Sequence, residues 1–345
     1  MVTIKDVAAH AGVSASTVSR ALGGDVQVSP AARARIQQAI TELRYQPNRM
    51  ARNLRRRQSD TIGVVVSDIE NPHFTRALRA IEDAAFSRGY RVILCNTDET
   101  PEKQRAYLEV LAAEQVVGVI LVPADADDPT VSRLIDGGVP IVAFDRSVGD
   151  ERADAVLADN HAAASQATQH LFDMGRKHIA FMAGRPGIQT GVERQAGYES
   201  VVARFGCPSI VGEGQFRLVE AWQAMNTLLD TEPELDAIVV ANNLMTIGVL
   251  NALYERGLRV PDDLAVVGID DPPWAELVAP ALTTLSQPTQ LMATRAFELL
   301  IDRITGRRVA ARFEVFQFQL NVRASSGGRH ASVGREGSNS IPGWA

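Results

Sequence analysis

From residue 61 onward the chain repeats one pattern, a short apolar run followed by an amphipathic stretch of helical length. TIGVVVSDI at 61–69 and LAVVGIDD at 264–271 are two of these runs, and 75–88 is one of the helical stretches. Runs without polar alternation are typical of strands buried in a parallel sheet, with the helices covering both faces. We therefore expect residues 61–323 to form an α/β body with doubly wound parallel sheets.

Polar side chains stand at the carboxyl ends of these apolar runs. They are Ser67, Asp68, Asn96, Asp98, Asp145, Arg146, Asn242, Asn243, Asp270 and Asp271. In open α/β sheets, ligands bind outside the carboxyl ends of the strands. The pattern therefore predicts a cleft between two lobes, lined by groups that form hydrogen bonds with ligand hydroxyls.

The first 60 residues are basic, whereas the rest of the chain is acidic. Residues 1–60 hold ten Lys and Arg against four Asp and Glu, a net charge of +6. The remainder holds 25 basic and 37 acidic residues, a net charge of −12, and the sum is the −6 of the whole chain. This asymmetry is typical of nucleic-acid binding confined to one end, although a solvated basic surface would carry the same charge.

The stretch TIKDVAAHAGVSASTVSRAL, residues 3–22, has the pattern of two short helices joined by a tight turn. Thr3 is placed to cap the first helix, Gly12 lies in the turn, and Ser14 is placed to cap the second helix. A third amphipathic helix is expected from about Ser29 to Arg44. This pattern predicts a helix-turn-helix whose second helix enters the major groove, with a plain three-helix bundle as the alternative.

The stretch YQPNRMARNLRRRQSD, residues 45–60, combines a small apolar strip with arginines. Met50, Ala51 and Leu54 form the strip, and Arg55 begins the basic run. Such a strip has too little apolar area for a stable isolated helix. It could fold on DNA with Leu54 as a wedge in the minor groove, or it could be a basic linker.

The N-terminal sequence resembles the LacI/GalR family of bacterial transcriptional regulators. TIKDVAAHAGVSASTVSRAL and VSPAARARIQQAITELRYQPNRMARNL carry the resemblance, which continues through nearly the whole chain. It implies a small all-α helix-turn-helix headpiece and a two-lobed, periplasmic-binding-protein-like (type I) body. It also implies a sequence-specific regulator, most often a repressor, which binds a palindromic double-stranded DNA operator as a homodimer under allosteric control by a small molecule.

The expected domains follow from these patterns and from the resemblance. They are the headpiece at 1–46, a hinge helix at 47–60, the effector-binding and dimerisation domain at 61–323, and a tail at 324–345. The tail is rich in Gly and Ser and lacks leucine heptads, so we expect disorder and no tetramer-forming helix.

The resemblance assigns DNA contacts to the headpiece and hinge. The residue matching Leu54 inserts beside its dimer mate at a central CpG step, and the base-reading positions fall on Ala15, Ser16 and Arg20. Only the Arg20 guanidinium can bridge guanine O6 and N7, so we expect few direct base contacts. The residues expected to contact DNA are Thr3, Ser14, Ala15, Ser16, Thr17, Ser19, Arg20, Tyr45, Asn48, Met50, Ala51, Leu54 and Arg55.

The resemblance also implies an effector site in the body. Phe74 and Phe216 match rings that pack on the effector, and core packing is the alternative for both. Arg194 and Asp270 match groups that bind ligand hydroxyls, with an ion pair between lobes as the alternative. The expected effector residues are Asp68, His73, Phe74, Asp145, Arg146, Thr190, Arg194, Phe216, Asn243, Asp270 and Trp274.

Three positions bear on the class of effector. Asn243 stands where family members often carry Asp, and Trp274 could stack on a sugar face. Arg146 stands where purine-binding members have an aromatic residue, which argues against a nucleobase. Because two arginines could balance an anionic ligand, we expect a sugar or a sugar acid. Whether it acts as an inducer or a corepressor stays open.

Other functional classes fit the sequence less well. The chain has no GxGxxG after a strand, no GxxxxGK[ST], no HExxH and no GxSxG, so we expect no enzyme, cofactor or metal. A solute-binding protein would need a signal peptide and no basic head, and a non-specific DNA binder would leave the cleft without a purpose.

Cys95 and Cys207 are the only cysteines and no apolar run is long enough to span a membrane, which favours the cytoplasm.

Overall fold

A computed structural model describes residues 2–22, 28–45, 59–307 and 310–327. The chain divides between Ser59 and Asp60 into two units. The predicted hinge contacts, which are Asn48, Met50, Ala51, Leu54 and Arg55, lie outside the described residues and stay predictions.

In its described part, the N-terminal unit contains three helices, α1 (Ile4–Ala11), α2 (Ala15–Leu22) and α3 (Pro30–Glu42). The Thr3 backbone amide donates to the Asp6 carboxylate at 2.7 Å and the Thr3 hydroxyl accepts from the Asp6 amide, so a capping box begins α1. Gly12 ends α1 at a φ of 62°, which glycine adopts without strain. Ser14 accepts from the Thr17 amide at 3.1 Å, as expected for its predicted capping role.

Small apolar side chains form the core of this headpiece. They are Val7, Ala8 and Ala11 of α1, Val18 of α2, and Ile36 and Ala39 of α3. Because α2 buries only Val18 completely, its opposite face is left to solvent. Ser14, Ser16 and Arg20 are exposed, and Ala15, Thr17 and Ser19 are half-buried.

The described part of the second unit contains two six-stranded sheets, one in each lobe. The strands of the first lobe are β1 (Thr61–Val66), β2 (Arg91–Asn96), β3 (Val119–Leu121), β4 (Ile141–Phe144), β5 (Asp154–Ala158) and β11 (Phe313–Phe316). Those of the second lobe are β6 (Ile179–Ala183), β7 (Ile210–Glu213), β8 (Ala237–Val240), β9 (Ala265–Ile269), β10 (Thr283–Ser286) and β12 (Gln319–Asn321).

Helices cover both faces of each sheet. The first lobe has α4 (Pro72–Ser87), α5 (Pro101–Ala113), α6 (Pro129–Asp136) and α11 (Thr289–Ile304). The second has α7 (Asn160–Asp173), α8 (Gln189–Arg204), α9 (Leu218–Thr231) and α10 (Asn243–Glu255). Nearly every residue of β1, β4, β6, β8 and β9 is buried, which explains why their sequences are continuous apolar runs.

The strand order is β11-β5-β4-β3-β1-β2 in the first sheet and β12-β10-β9-β8-β6-β7 in the second. All pairs are parallel except β12, which runs antiparallel to β10 with Thr284 opposite Asn321. The chain crosses between the lobes after β5, β10 and β11. Since β12 enters the second lobe directly from β11, it starts where its neighbours end. The predicted doubly wound α/β architecture is confirmed.

The predicted disordered tail at 324–345 is wrong at its start. Ala324–Ser326 form a short 3₁₀ helix in which Ser325 and Ser326 are buried. The Ser325 hydroxyl donates to the Val266 carbonyl at 2.6 Å and accepts from the Thr283 amide at 2.8 Å. These partners are distant in sequence, so the local Gly/Ser composition did not reveal them. Residues 328–345 lie outside the described chain.

No helix in the described ranges combines the length and the apolar character that crossing a membrane requires.

Candidate functional site

The outward face of α2 carries most of the predicted DNA contacts of the headpiece. The Ser14 hydroxyl lies 2.7 Å from the Ser16 hydroxyl and 2.8 Å from that of Thr17, so these groups form one hydrogen-bonded cluster at the start of the helix. Arg20 is exposed in the last turn of α2. This surface can therefore offer one guanidinium and several hydroxyls to a ligand such as DNA.

Two other predicted DNA contacts have structural roles in the headpiece. Thr3 is exposed, but its hydroxyl donates to the Asp6 carboxylate at 2.8 Å within the capping box. Tyr45 is half-buried and packs against the headpiece core. Both residues can still reach a ligand, but each also helps to hold the helices in place.

In the body, a cavity of about 30 Å³ lies at the carboxyl ends of the strands of both lobes. Its lining consists of Asp68, Asn71, His73, Phe74, Glu99, Asp145, Arg146, Thr190, Arg194, Gln215, Phe216, Arg217, Asn242, Asp270 and Gln287. All the predicted effector residues line it except Asn243 and Trp274. The strand-end pattern thus located a real concavity, as expected for open α/β sheets.

The structure does not bring Asn243 and Trp274 to this lining. Asn243 lines an adjoining cavity, where its amide donates to Asn71 Oδ1 at 3.0 Å. Trp274 lies in a 3₁₀ helix, Pro273–Glu276, and its side chain packs against the core of the second lobe. Because two consecutive prolines begin this helix directly after Asp271, the chain turns away from the cavity before Trp274.

Arg146 and Glu99 form a bidentate ion pair at the first-lobe side of the cavity. Both Nη atoms of Arg146 lie 2.6 Å from the Glu99 carboxylate oxygens, and Nη1 also donates to the Pro123 carbonyl at 3.1 Å. Burial alone would lower the pKa of Arg146, but the charge of Glu99 raises it above the ordinary value. The guanidinium is therefore charged at all physiological pH values.

Asp145 and His73 lie next to this pair. Asp145 Oδ2 is 3.4 Å from Arg146 Nε, and Asp145 Oδ1 is 3.6 Å from His73 Nε2. Burial would raise the pKa of Asp145, but its neighbours His73 and Arg146 outweigh burial and hold this pKa below its usual range. Asp145 is therefore an ionised hydrogen-bond acceptor, the form in which a carboxylate binds hydroxyl groups.

Arg194 faces the cavity from α8. Its Nε donates to Asn160 Oδ1 at 2.8 Å and its Nη1 donates to the Ala241 carbonyl at 2.5 Å. The guanidinium also lies over the Phe318 ring, 5.9 Å from the ring centroid. These contacts hold a buried cation in one orientation.

Several contacts join the two lobes around the cavity. Arg217 Nη1 of the second lobe lies 3.5 Å from Asp68 Oδ2 of the first. Burial raises the pKa of Asp68 more than the charge of Arg217 lowers it. On the other side, the Asn243 amide of the second lobe donates to Asn71 Oδ1 of the first at 3.0 Å. A change in the angle between the lobes must break or rearrange these contacts.

Aromatic rings cover part of the cavity. Phe74 contacts His73 edge to face, with ring centroids 4.9 Å apart. The Phe216 ring lies directly on Gly184, where an added Cβ would be 2.1 Å from Phe216 Cζ. Glycine at 184 is therefore what allows this ring to reach the cavity.

Two further features make the cavity a candidate binding site. Among the described residues, the buried side-chain atoms without a hydrogen-bond partner are Ser67 Oγ, His73 Nε2, Arg146 Nε, Asn243 Oδ1 and Gln287 Oε1. All five belong to the lining, to the adjoining cavity or to the residue before Asp68. Buried polar groups normally have partners. Asp145 lies 3.4 Å from Arg146 Nε and 3.6 Å from His73 Nε2, and ordered water or a polar ligand would complete the set.

The second feature is backbone strain. Eight non-glycine residues in the described chain have a left-handed φ, and five of them line the cavity. These five are Glu99, Asp145, Gln215, Phe216 and Asp270. Strained backbone of this kind concentrates at functional sites. Within the described ranges, no group of three or more His, Cys, Asp or Glu is arranged to hold a metal ion.

The effector-site prediction missed several lining residues. They are Asn71, Glu99, Gln215, Arg217, Asn242 and Gln287. Asn71 caps α4 in the NPHF stretch, and Glu99 directly follows Asp98, so the strand-end rule could have included both. Gln287 lies on a crossover between lobes, a position that no local pattern marks.

Comparison with known proteins gives consistent matches along the chain. Residues 3–48 match "Bacterial regulatory proteins, lacI family", and residues 168–326 match "Periplasmic binding protein-like domain". The ribose operon repressor of Halalkalibacterium halodurans is 40% identical over 304 residues, 88% of this chain and 91% of that protein. The HTH-type transcriptional regulator CelR of Thermobifida fusca is 38% identical over 333 residues, 94% of this chain and 98% of that protein.

Solved structures agree with these matches. The CelR–cellobiose complex is 36% identical with a TM-score of 0.71, covering 94% of this chain and 100% of that one. The lac repressor dimer bound to operator and the anti-inducer ONPF is 28% identical with a TM-score of 0.83, covering 94% and 99%. The chain therefore belongs to the lacI family of bacterial regulatory proteins, which are DNA-binding transcriptional regulators and not enzymes.

Proposed function

We propose that this protein is a dimeric repressor that binds a palindromic operator and responds to a sugar-class effector bound in the body cavity. The observation that carries the proposal is the combination, in one chain, of an exposed helix-turn-helix face and a buried cavity with unpartnered polar atoms. Relatives named for ribose and cellobiose support the effector class. The lac repressor dimer on its operator supports the dimer and the paired headpieces.

The chemistry of the cavity fits a polyhydroxylated ligand. Asp145 and Asp270 accept hydrogen bonds from hydroxyls, and Arg194 donates to them. The Phe74 and Phe216 rings supply apolar surface for the faces of a sugar ring. The ligand would complete the unpartnered donors and acceptors of the cavity, which gives it affinity for one arrangement of the lobes.

The effector part is tested by the thermal midpoint of the purified protein against neutral sugars, sugar acids, polyols and purines. A ligand at about 100 times its dissociation constant stabilises the native state by roughly 2.7 kcal/mol, a shift of several degrees. A hit among the sugars that also changes operator affinity supports the proposal. A purine hit, or a sugar hit without any change in operator affinity, contradicts it. The direction of the change separates an inducer from a corepressor.

The operator part is tested at the hinge, by Leu54→Ala. If Leu54 inserts at a central base step, its truncation should weaken binding to a palindromic duplex with a central CpG by roughly tenfold or more. Binding is measured by fluorescence anisotropy at fixed salt, with Leu22→Met in the headpiece as a conservative control. Wild-type affinity in Leu54→Ala would contradict insertion, and equal affinity of the wild type for any duplex would contradict sequence-specific binding.

A further inference from the structure

Glu99 reaches the cavity on a backbone that is held in place from both lobes. Asp98 and Glu99 follow β2 in consecutive left-handed conformations, with φ values of 52° and 56°. Asp98 accepts from Asn96 Nδ2 at 2.7 Å and pairs with Lys103. From the second lobe, Arg185 Nη1 donates to the Glu99 carbonyl at 2.9 Å. Non-glycine residues adopt this conformation only where surrounding contacts impose it, so the direction of the Glu99 side chain is specified.

The Glu99 carboxylate occupies the face of Arg146 that a ligand carboxylate would use. Arginine binds a carboxylate through two parallel N–H groups, and both Nη atoms of Arg146 already have Glu99 oxygens at 2.6 Å. The side chains of Arg146 and Glu99 are only 5% and 10% exposed, so solvent does not compete for this pair. Arg146 Nε has no hydrogen-bond partner in the described chain, although Asp145 Oδ2 lies 3.4 Å from it, and one N–H suits a single hydroxyl oxygen.

The charge balance of the lining points the same way. Four carboxylates, Asp68, Glu99, Asp145 and Asp270, face three guanidiniums, those of Arg146, Arg194 and Arg217. Arg146 is neutralised by Glu99, Arg217 pairs with Asp68, and the charge of Arg194 acts on Asp145. An anionic ligand would meet an excess of negative charge, whereas an uncharged ligand would meet hydrogen-bond donors and acceptors without repulsion.

We infer that Glu99 is a specificity-determining residue, which restricts the cavity to uncharged polyhydroxylated ligands by occupying Arg146 and so excludes sugar acids and sugar phosphates. This inference rests on the proposed function, because it names the class of effector within that site. It narrows the expected class, sugar or sugar acid, to the uncharged member. Glu99 acts by blocking a charged group that the cavity would otherwise offer to a carboxylate.

A first experiment tests whether another carboxylate can take the place of the Glu99 side chain. The effector need not be known for this test. Glu99→Ala removes the carboxylate that pairs with both Nη atoms of Arg146 and leaves only Asp145, near Nε, so a small carboxylate should enter and replace the missing side chain. Thermal midpoints are measured in sodium acetate and in sodium chloride at equal ionic strength. Acetate should raise the midpoint of Glu99→Ala by several degrees and leave the wild type unchanged. Glu102→Ala, which removes an exposed carboxylate nearby at the start of α5, is the matched control and should behave as the wild type.

A second experiment measures selectivity with matched ligand pairs, glucose with glucuronate and galactose with galacturonate, by calorimetry and thermal shift. The wild type should bind the neutral member at least about tenfold more tightly than its acid. Glu99→Gln removes the negative charge and replaces one acceptor oxygen by an amide NH2, which cannot accept from the second Nη of Arg146. This variant should therefore shift the ratio toward the acid by on the order of tenfold. This variant also keeps the test valid if Glu99→Ala does not fold.

The possible outcomes separate the two proposals. A wild type that binds the acids as tightly as the neutral sugars overturns the role of Glu99, and so does a Glu99 variant that gains nothing from acetate or from the acids. If no sugar stabilises the wild type while acetate stabilises Glu99→Ala, the sugar effector is wrong and the blocking role of Glu99 stands.

Discussion

The headpiece and the effector cavity hold their functional residues in opposite ways. In the headpiece, small apolar side chains such as Val18 and Ile36 form the core, and the residues predicted to contact DNA lie on the surface. In the cavity, the predicted effector residues are themselves buried, and charged groups such as Arg146 and Asp145 are almost completely enclosed. Substitutions of these residues should therefore leave the stability of the headpiece unchanged and lower that of the body.

The physical reason is the cost of removing a charge from water. An exposed arginine keeps its hydration whether or not it binds DNA. A buried arginine needs a partner at all times, and in the cavity the partner is a neighbouring carboxylate such as Glu99. We therefore expect binding and folding to depend on the same contacts in the cavity and on different contacts in the headpiece.

The largest loss of stability is expected when Arg146 is replaced. Arg146→Met should lower the free energy of unfolding of the body by about 3–5 kcal/mol, because it leaves the Glu99 carboxylate buried without its partner. Urea denaturation followed by circular dichroism measures this change. Arg79→Met, which removes an arginine that is 78% exposed and paired with Asp83, is the control and should change stability little. Equal stability of Arg146→Met and the wild type would show that the cavity charges are dispensable for folding.

A smaller loss of stability is expected at Gly184, which contacts the Phe216 ring. Gly184→Ala places a Cβ 2.1 Å from Phe216 Cζ, so the ring must move, at a cost of about 1–3 kcal/mol. The same variant should weaken effector binding, since Phe216 lines the cavity. Gly191→Ala is a graded control, because its added Cβ would be 3.3 Å from the same atom. Thermal melts with and without the effector compare the two variants, and equal behaviour would mean that the contact with Gly184 does not position the ring.

The smallest effect on stability is expected at Arg20. Arg20→Ala should leave the thermal midpoint unchanged, because Arg20 is exposed at the end of α2. It should nevertheless remove about 1–3 kcal/mol of discrimination at one base pair of each half-site. Binding to operator duplexes with single substitutions measures this loss, and Ser16→Ala should have a weaker effect. An unchanged base preference would mean that specificity comes from the deformation of the DNA and not from the headpiece surface.

The sequence predicted the local elements of this protein well. Thr3, Gly12 and Ser14 lie at the predicted helix boundaries because capping depends on residues three positions apart. The buried strands were recognisable because burial on both faces selects apolar residues at every position. Most of the cavity lining was predicted for a related reason, since the carboxyl ends of parallel strands must meet at one edge of the sheet.

The predictions failed where a residue's role depends on a distant partner. The partner of Glu99 is Arg146, 47 residues away, and Ser325 was ordered by Val266, 59 residues away. Trp274 was predicted at the ligand from its closeness in sequence to Asp270, but the intervening prolines direct it to the core. A short-range pattern contains no information about such pairings.

The class of fold, the family, the helix-turn-helix face and the edge of the sheets at which the cavity lies could therefore all be predicted from the sequence. Which charges neutralise each other inside the cavity became visible only in the tertiary structure. The reason is that local conformation follows from neighbouring residues, whereas the energy of a buried charge depends on every group that the fold brings within a few ångströms of it.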